Sequence, residues 1–102
     1  MADRLILQTE FEDILGSENV YFSPPESVKL IYPCIVYSRS DINKQNANDR
    51  LYKSMNGYKV TVIDPDPEST IADDILAYFP MCRFDRQYVS ENLNHTTLLL
   101  YY

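Results

Sequence analysis

Few side chains in this sequence are equipped for chemistry. There is one histidine, His95, two cysteines, Cys34 and Cys82, and an acidic stretch holding Asp64, Asp66, Glu68, Asp73 and Asp74. His95 stands between Asn94 and Thr96 with no sequence neighbour to complete a nucleophile–base pair. It reads as a hydrogen-bonded residue near the start of a strand. A structural zinc site takes four Cys or His ligands; this chain has three, without CxxC spacing. Both cysteines lie in apolar, strand-like runs, as buried free thiols do. The carboxylates of the acidic stretch are calcium-type ligands, but the spacing with its central glycine and closing glutamate is absent, so turn formation and helix capping account for them. Phe84-Asp85-Arg86 carries an adjacent Asp–Arg pair whose plain role is a surface ion pair. With only 2 glycines, the chain offers no glycine-rich phosphate cradle and no dinucleotide fold. The expectation is a protein without catalytic residues, cofactor or metal.

The elements that must position these residues follow from periodicity. From Asp3 to Leu15, Leu7, Phe11, Ile14 and Leu15 fall on one helical stripe. Asp3 is placed to cap this helix, and Gly16 to end it in a left-handed turn. Glu10, Glu12 and Asp13 come late in it, where the helix dipole disfavours acids. Asn19 to Phe22 is short and extended and stops at Pro24-Pro25. Leu30 to Tyr37 is a nearly continuous apolar run broken by Pro33, which predicts an edge strand or a bulge. Residues 38–56 are polar and long for a connection. Tyr58 to Asp64 alternates as a half-buried strand. Asn56-Gly57 offers a tight turn with Leu51 to Met55 as a partner strand.

Asp66 and Pro67 are placed to open a second helix, as cap and first helical residue. Its apolar face is Ile71, Ala72, Ile75, Leu76 and Phe79, its wet face Asp73 and Asp74, and Pro80 stops it. The tail reads as a hairpin, Met81 to Val89 and His95 to Tyr102 around Glu91-Asn92. Apolar residues on both faces of the last strand place it centrally. The order predicts one α+β domain over residues 1–102, an antiparallel sheet of about four to five strands with two helices packed on one face.

Composition narrows function further. The 45% hydrophobic and 24% charged content is that of an ordinary folded domain. No run reaches the roughly 18–20 apolar residues that span a bilayer, and Met1-Ala2-Asp3-Arg4 lacks a signal peptide's build. Membrane and secretory roles are therefore not expected. Nine tyrosines and no tryptophan stand out, because tyrosine is favoured where an apolar ring must end in a polar tip, as at protein interfaces. Charge is segregated along the chain. Asp3 to Glu18 has five acids and one base, and Asp64 to Asp74 has five acids and no base. Arg39 to Lys59 has five bases and two acids, with Tyr52 and Tyr58 interleaved. A basic, aromatic segment is suited to nucleic acid; in a chain of net charge −6 it is better suited to an acidic protein surface.

Several runs resemble one family in order and spacing: Asn19-Val20-Tyr21-Phe22-Ser23-Pro24-Pro25-Glu26-Ser27 before Leu30-Ile31-Tyr32-Pro33-Cys34-Ile35-Val36-Tyr37, then Tyr58-Lys59-Val60-Thr61-Val62-Ile63-Asp64, Phe84-Asp85-Arg86-Gln87-Tyr88, and Asn92-Leu93-Asn94-His95 before a closing apolar strand. From Asn19 to Tyr102 the chain is similar to the tail-terminator or head–tail joining (tail-completion) proteins of long-tailed bacteriophages. The resemblance implies a structural ring, usually of six copies, that seals the tail tube and docks to the head connector or stopper protein. It would be assembled in the host cytoplasm and carried in the virion, with genomic DNA passing through unbound. On that reading Arg39, Lys44, Arg50, Tyr52 and Lys53 meet a neighbouring subunit or the tail-tube protein, and Glu10, Glu12, Asp13, Asp73 and Asp74 are candidates to line the lumen. Charge segregation fits, since head-to-tail closure needs unlike edges, and an acidic lumen repels phosphate. The rival readings are another neck component (a head-completion or stopper protein), a free-standing protein-binding module, and an enzyme of unrecognised type. A lone module stays monomeric, and an enzyme would need a convergent titratable cluster.

Overall fold

The computed structural model describes residues 4–40 and 57–102. Seven elements follow one another: α1 (Arg4–Leu15), β1 (Val20–Phe22), β2 (Cys34–Ser40), β3 (Gly57–Asp64), α2 (Ile71–Tyr78), β4 (Cys82–Ser90) and β5 (Leu93–Tyr101). The strands form a single sheet in the order β1-β2-β3-β5-β4. The fold is α+β and the sheet mostly antiparallel, with one parallel pair, β1 with β2. The chain between these two strands, Ser23–Pro33, brings β2 back alongside β1 in the same direction, which a tight hairpin cannot do.

Registration explains the core. Tyr37 pairs with Val60 and Val60 with Leu98; Tyr58 pairs with Leu100 and Ile35 with Val62. Cross-strand partners point to the same side, so these residues make one apolar face. Leu7 and Phe11 of α1, with Ile75 of α2 and Phe79, cover it. The α1 stripe is therefore as expected, with Leu7 and Phe11 buried and Ile14 and Leu15 packed beside them. Gly16 ends the helix at φ +80°, its N–H donating to the Glu12 carbonyl. Asp3, the expected cap, lies outside the described residues.

Two expectations need correction. First, α2 begins at Ile71 with Thr70 as its capping residue, not at Pro67. The Asp64 side chain accepts the Asp66 N–H at 2.8 Å, and that of Asp66 accepts the Glu68 N–H at 2.9 Å. These acids serve consecutive Asx turns, which compete with helix initiation. Second, β2 starts only at Cys34, after a cis Tyr32–Pro33 peptide, and is an inner strand. Pro33 stands before the ladder, where its missing N–H costs no pairing. Leu51–Met55, the partner strand expected across Asn56-Gly57, lies outside the described residues.

The tail hairpin is as the sequence predicts. Glu91 and Asn92 turn at φ 53° and 64°, the paired positive values of a two-residue hairpin turn. β5 is interior, and β4 is the edge, exposed from Arg83 to Ser90.

Candidate subunit interface

The acidic candidates gather on the helix layer but are not equivalent. The Glu10 carboxylate accepts the Tyr102 hydroxyl at 2.7 Å and the Tyr78 hydroxyl at 3.0 Å. It clamps α1 to the residue that follows β5 and to α2, and holds both phenols above their usual pKa; for Tyr102, burial and then this carboxylate push it to about 12. Glu12 accepts the Gln8 amide at 3.1 Å. Asp13, Asp73 and Asp74 are exposed. Asp73 and Asp74 stand in the first turn of α2, where the helix dipole favours them.

Of the basic candidates, Arg39 is exposed at the end of β2, its guanidinium 5.9 Å from the centre of the Tyr58 ring. Lys44, Arg50, Tyr52 and Lys53 lie outside the described residues.

Sequence reasoning missed a second basic group. Lys59 pairs with Leu99 and Leu99 with Arg83; Thr61 pairs with Thr97 and Thr97 with Arg86. These rows alternate with the core rows, so Lys59, Arg83 and Arg86 share the sheet face away from the helices, all exposed. On the same face Tyr88 stacks on His95, ring centres 4.8 Å apart and 9° from parallel. The signal lay in the alternation of β3 and β4, but which strands would be neighbours was not legible. A register shift between Phe84 and Arg86 also breaks simple counting along β4. It sits where Asp85 and Arg86 pair at 3.7 Å.

The chemistry-bearing residues do not converge. His95 Nδ1 lies 3.1 Å from the Leu93 carbonyl and its ring is stacked. Cys34 and Cys82 are free thiols on strands separated by β3 and β5, about 14 Å apart at ordinary strand spacing, and a disulfide needs about 7 Å or less between Cα atoms. Burial pushes both thiols up to about 11. Among the described residues no three His, Cys, Asp or Glu side chains are grouped as metal ligands, and no helix is long and apolar enough to cross a membrane. An open groove of about 390 Å³ runs between α2 and β4, walled by Ala72, Leu76 and Phe84 and rimmed by Glu68 and Asp73. A polar cavity of about 20 Å³ beside Asp64, Gln87 and Asn94 has room for about one water.

Among the described strands the exposed large apolar residues all lie on β4. Phe84, Tyr88 and Val89 of β4 are 54%, 45% and 67% exposed, on an edge strand. Searches with protein-family models, among curated proteins and among solved structures find no match to this chain.

Proposed function

We propose that this chain is a structural subunit of the neck of a long-tailed phage, forming a ring that caps the tail tube and joins it to the head connector. The observation that carries the reading is the spatial separation of charge. Asp13, Asp73 and Asp74 are exposed on the helix layer, and Lys59, Arg83 and Arg86 on the opposite face of the sheet. A subunit with unlike faces can close into a ring with its acidic helix layer turned to the channel and its basic sheet face turned away from it. In the ring the carboxylates of Glu12, Asp13, Asp73 and Asp74 face the channel, where they repel the phosphates of passing DNA. Glu10 leaves that set, because Tyr78 and Tyr102 occupy its carboxylate. The subunit performs no catalysis and takes no cofactor; its work is assembly.

The test is co-expression with the tail-tube protein of the same genome, followed by electron microscopy of the tube ends. Rings seated on tube ends are the expected result. Tubes with bare ends and a chain that stays apart from them overturn the reading. The exposed edge of β4 favours a second reading, a free-standing module that takes an extended peptide as an added strand. It would give the bare tubes and a monomer in solution.

A further inference from the structure

The geometry points to the groove between α2 and β4 as the seat of an arginine side chain offered by a partner protein. Phe84 marks the place. It pairs with Leu98, and Gln87 pairs with Thr96, so both sit on the side of the sheet that carries the helices. The helix layer buries Leu98 completely and leaves Phe84 54% exposed. The uncovered ring is one wall of the groove, and Ala72 and Leu76 of α2 are the other. Glu68 and Asp73 stand at the rim, both exposed, and among the described residues neither has a cation as partner.

These parts select the occupant by charge and by shape. A purely apolar side chain entering here would draw two unpaired carboxylates out of water without a partner, which opposes binding. A bare metal ion would find two carboxylates and no third ligand among the described residues. An arginine meets every wall. Its methylene stem lies along Ala72 and Leu76, its guanidinium plane stacks on the Phe84 ring, and its forked N–H groups suit the carboxylates of Glu68 and Asp73. Lysine carries the charge without the fork or the plane. The positive end of α2 is near, equivalent to about half a unit charge, and two full carboxylates outweigh it. At about 390 Å³ the open groove suits one long side chain with its water rather than a folded element. The inference does not rest on the neck reading. In a ring, an arginine seated here would take Asp73 out of the channel-facing set and leave Glu12, Asp13 and Asp74 in it.

The probe is the tripeptide acetyl-Gly-Arg-Gly-amide, titrated into the isotope-labelled chain and followed by NMR. Signals of the Phe84 ring and the Leu76 methyls should move and saturate in about the millimolar range, as fits so few contacting atoms. The matching lysine peptide should bind about three- to tenfold more weakly. The citrulline peptide, neutral and equal in shape, should leave the signals where they are. Glu68→Gln with Asp73→Asn should weaken arginine binding about tenfold or more. Phe84→Leu, which keeps an apolar wall, should weaken it about two- to fivefold. All these positions are exposed, so the variants should fold as the wild type does. No movement at about ten times the expected concentration overturns the proposal, as does an equal response to the lysine or citrulline peptide. Undiminished arginine binding by the carboxylate double variant overturns it too. Movement of the same signals on raising the protein concentration alone would assign the groove to a second copy instead.

Discussion

Glu10 lies in the last half of α1, where the helix dipole opposes a negative charge, and two tyrosine hydroxyls compensate for its position. The consequence is a pH dependence whose sign is set by Tyr102. Its hydroxyl is raised to about 12 from an ordinary 10, so the folded chain holds that proton more tightly than the unfolded chain. The stability it contributes is complete below pH 10 and is lost as pH rises from 10 towards 12. Tyr102→Phe should lower stability by about 1 kcal/mol at neutral pH and decline less steeply than wild type over that alkaline window, as thermal unfolding at each pH will measure. The thiols are governed by burial alone. With Cys34 and Cys82 both raised to about 11, little thiolate exists at neutral pH. Native protein should therefore alkylate slowly, and protein in denaturant should react at both positions, as mass spectrometry will count.

At the scale of elements, Phe79 joins the two helices to the sheet. It is 3% exposed, and its ring centre lies 5.6 Å from that of Phe11 and 5.8 Å from that of Tyr102. It sits just past α2 in extended backbone, so its truncation removes packing without breaking the helix ladder. Phe79→Ala should cost about 3–5 kcal/mol, read as a lower urea midpoint at unchanged slope. The β4–β5 turn offers a gain instead. Glu91 holds φ 53°, a left-handed conformation costing an ordinary residue about 1–2 kcal/mol. Replacing Glu91-Asn92 by Asn-Gly suits the turn better and should raise stability by about 1 kcal/mol in the same assay.

For the whole molecule, the proposed ring turns on which surfaces meet. In the ring reading the basic segment carrying Arg50, Tyr52 and Lys53 contacts a neighbour's carboxylates. Arg50→Glu with Lys53→Glu should then block ring assembly by like-charge contact, while the unfolding midpoint of the subunit stays at the wild-type value. Tyr52→Ala should weaken assembly more than Lys44→Ala or Lys53→Ala, because buried aromatic anchors carry more affinity than rim charges. Counting capped tubes for each variant checks both. Normal capping by the charge-reversed protein would remove this segment from the interface.

Much of the architecture was legible in the residues themselves. The α1 stripe, the alternation of β3 and the tail hairpin are local patterns of period 3.6 or 2, and local periodicity reports which side of an element is buried. The α+β class followed from their order. Strand neighbours were not legible, because pairing is a long-range choice. That β1 runs parallel to β2, that β2 is interior in spite of Pro33, and that β4 is the edge were decided only when the sheet assembled. The start of α2 was misread for a local reason, since Asp66 can cap a helix or close an Asx turn and only its hydrogen-bond partners distinguish the two. The interface candidates divide in the same way. Sequence could find charge of one sign gathered along the chain, as at Asp73 and Asp74. The grouping of Lys59 with Arg83 and Arg86 joins residues far apart in sequence, and arises because β5 lies between their strands and turns them to one face.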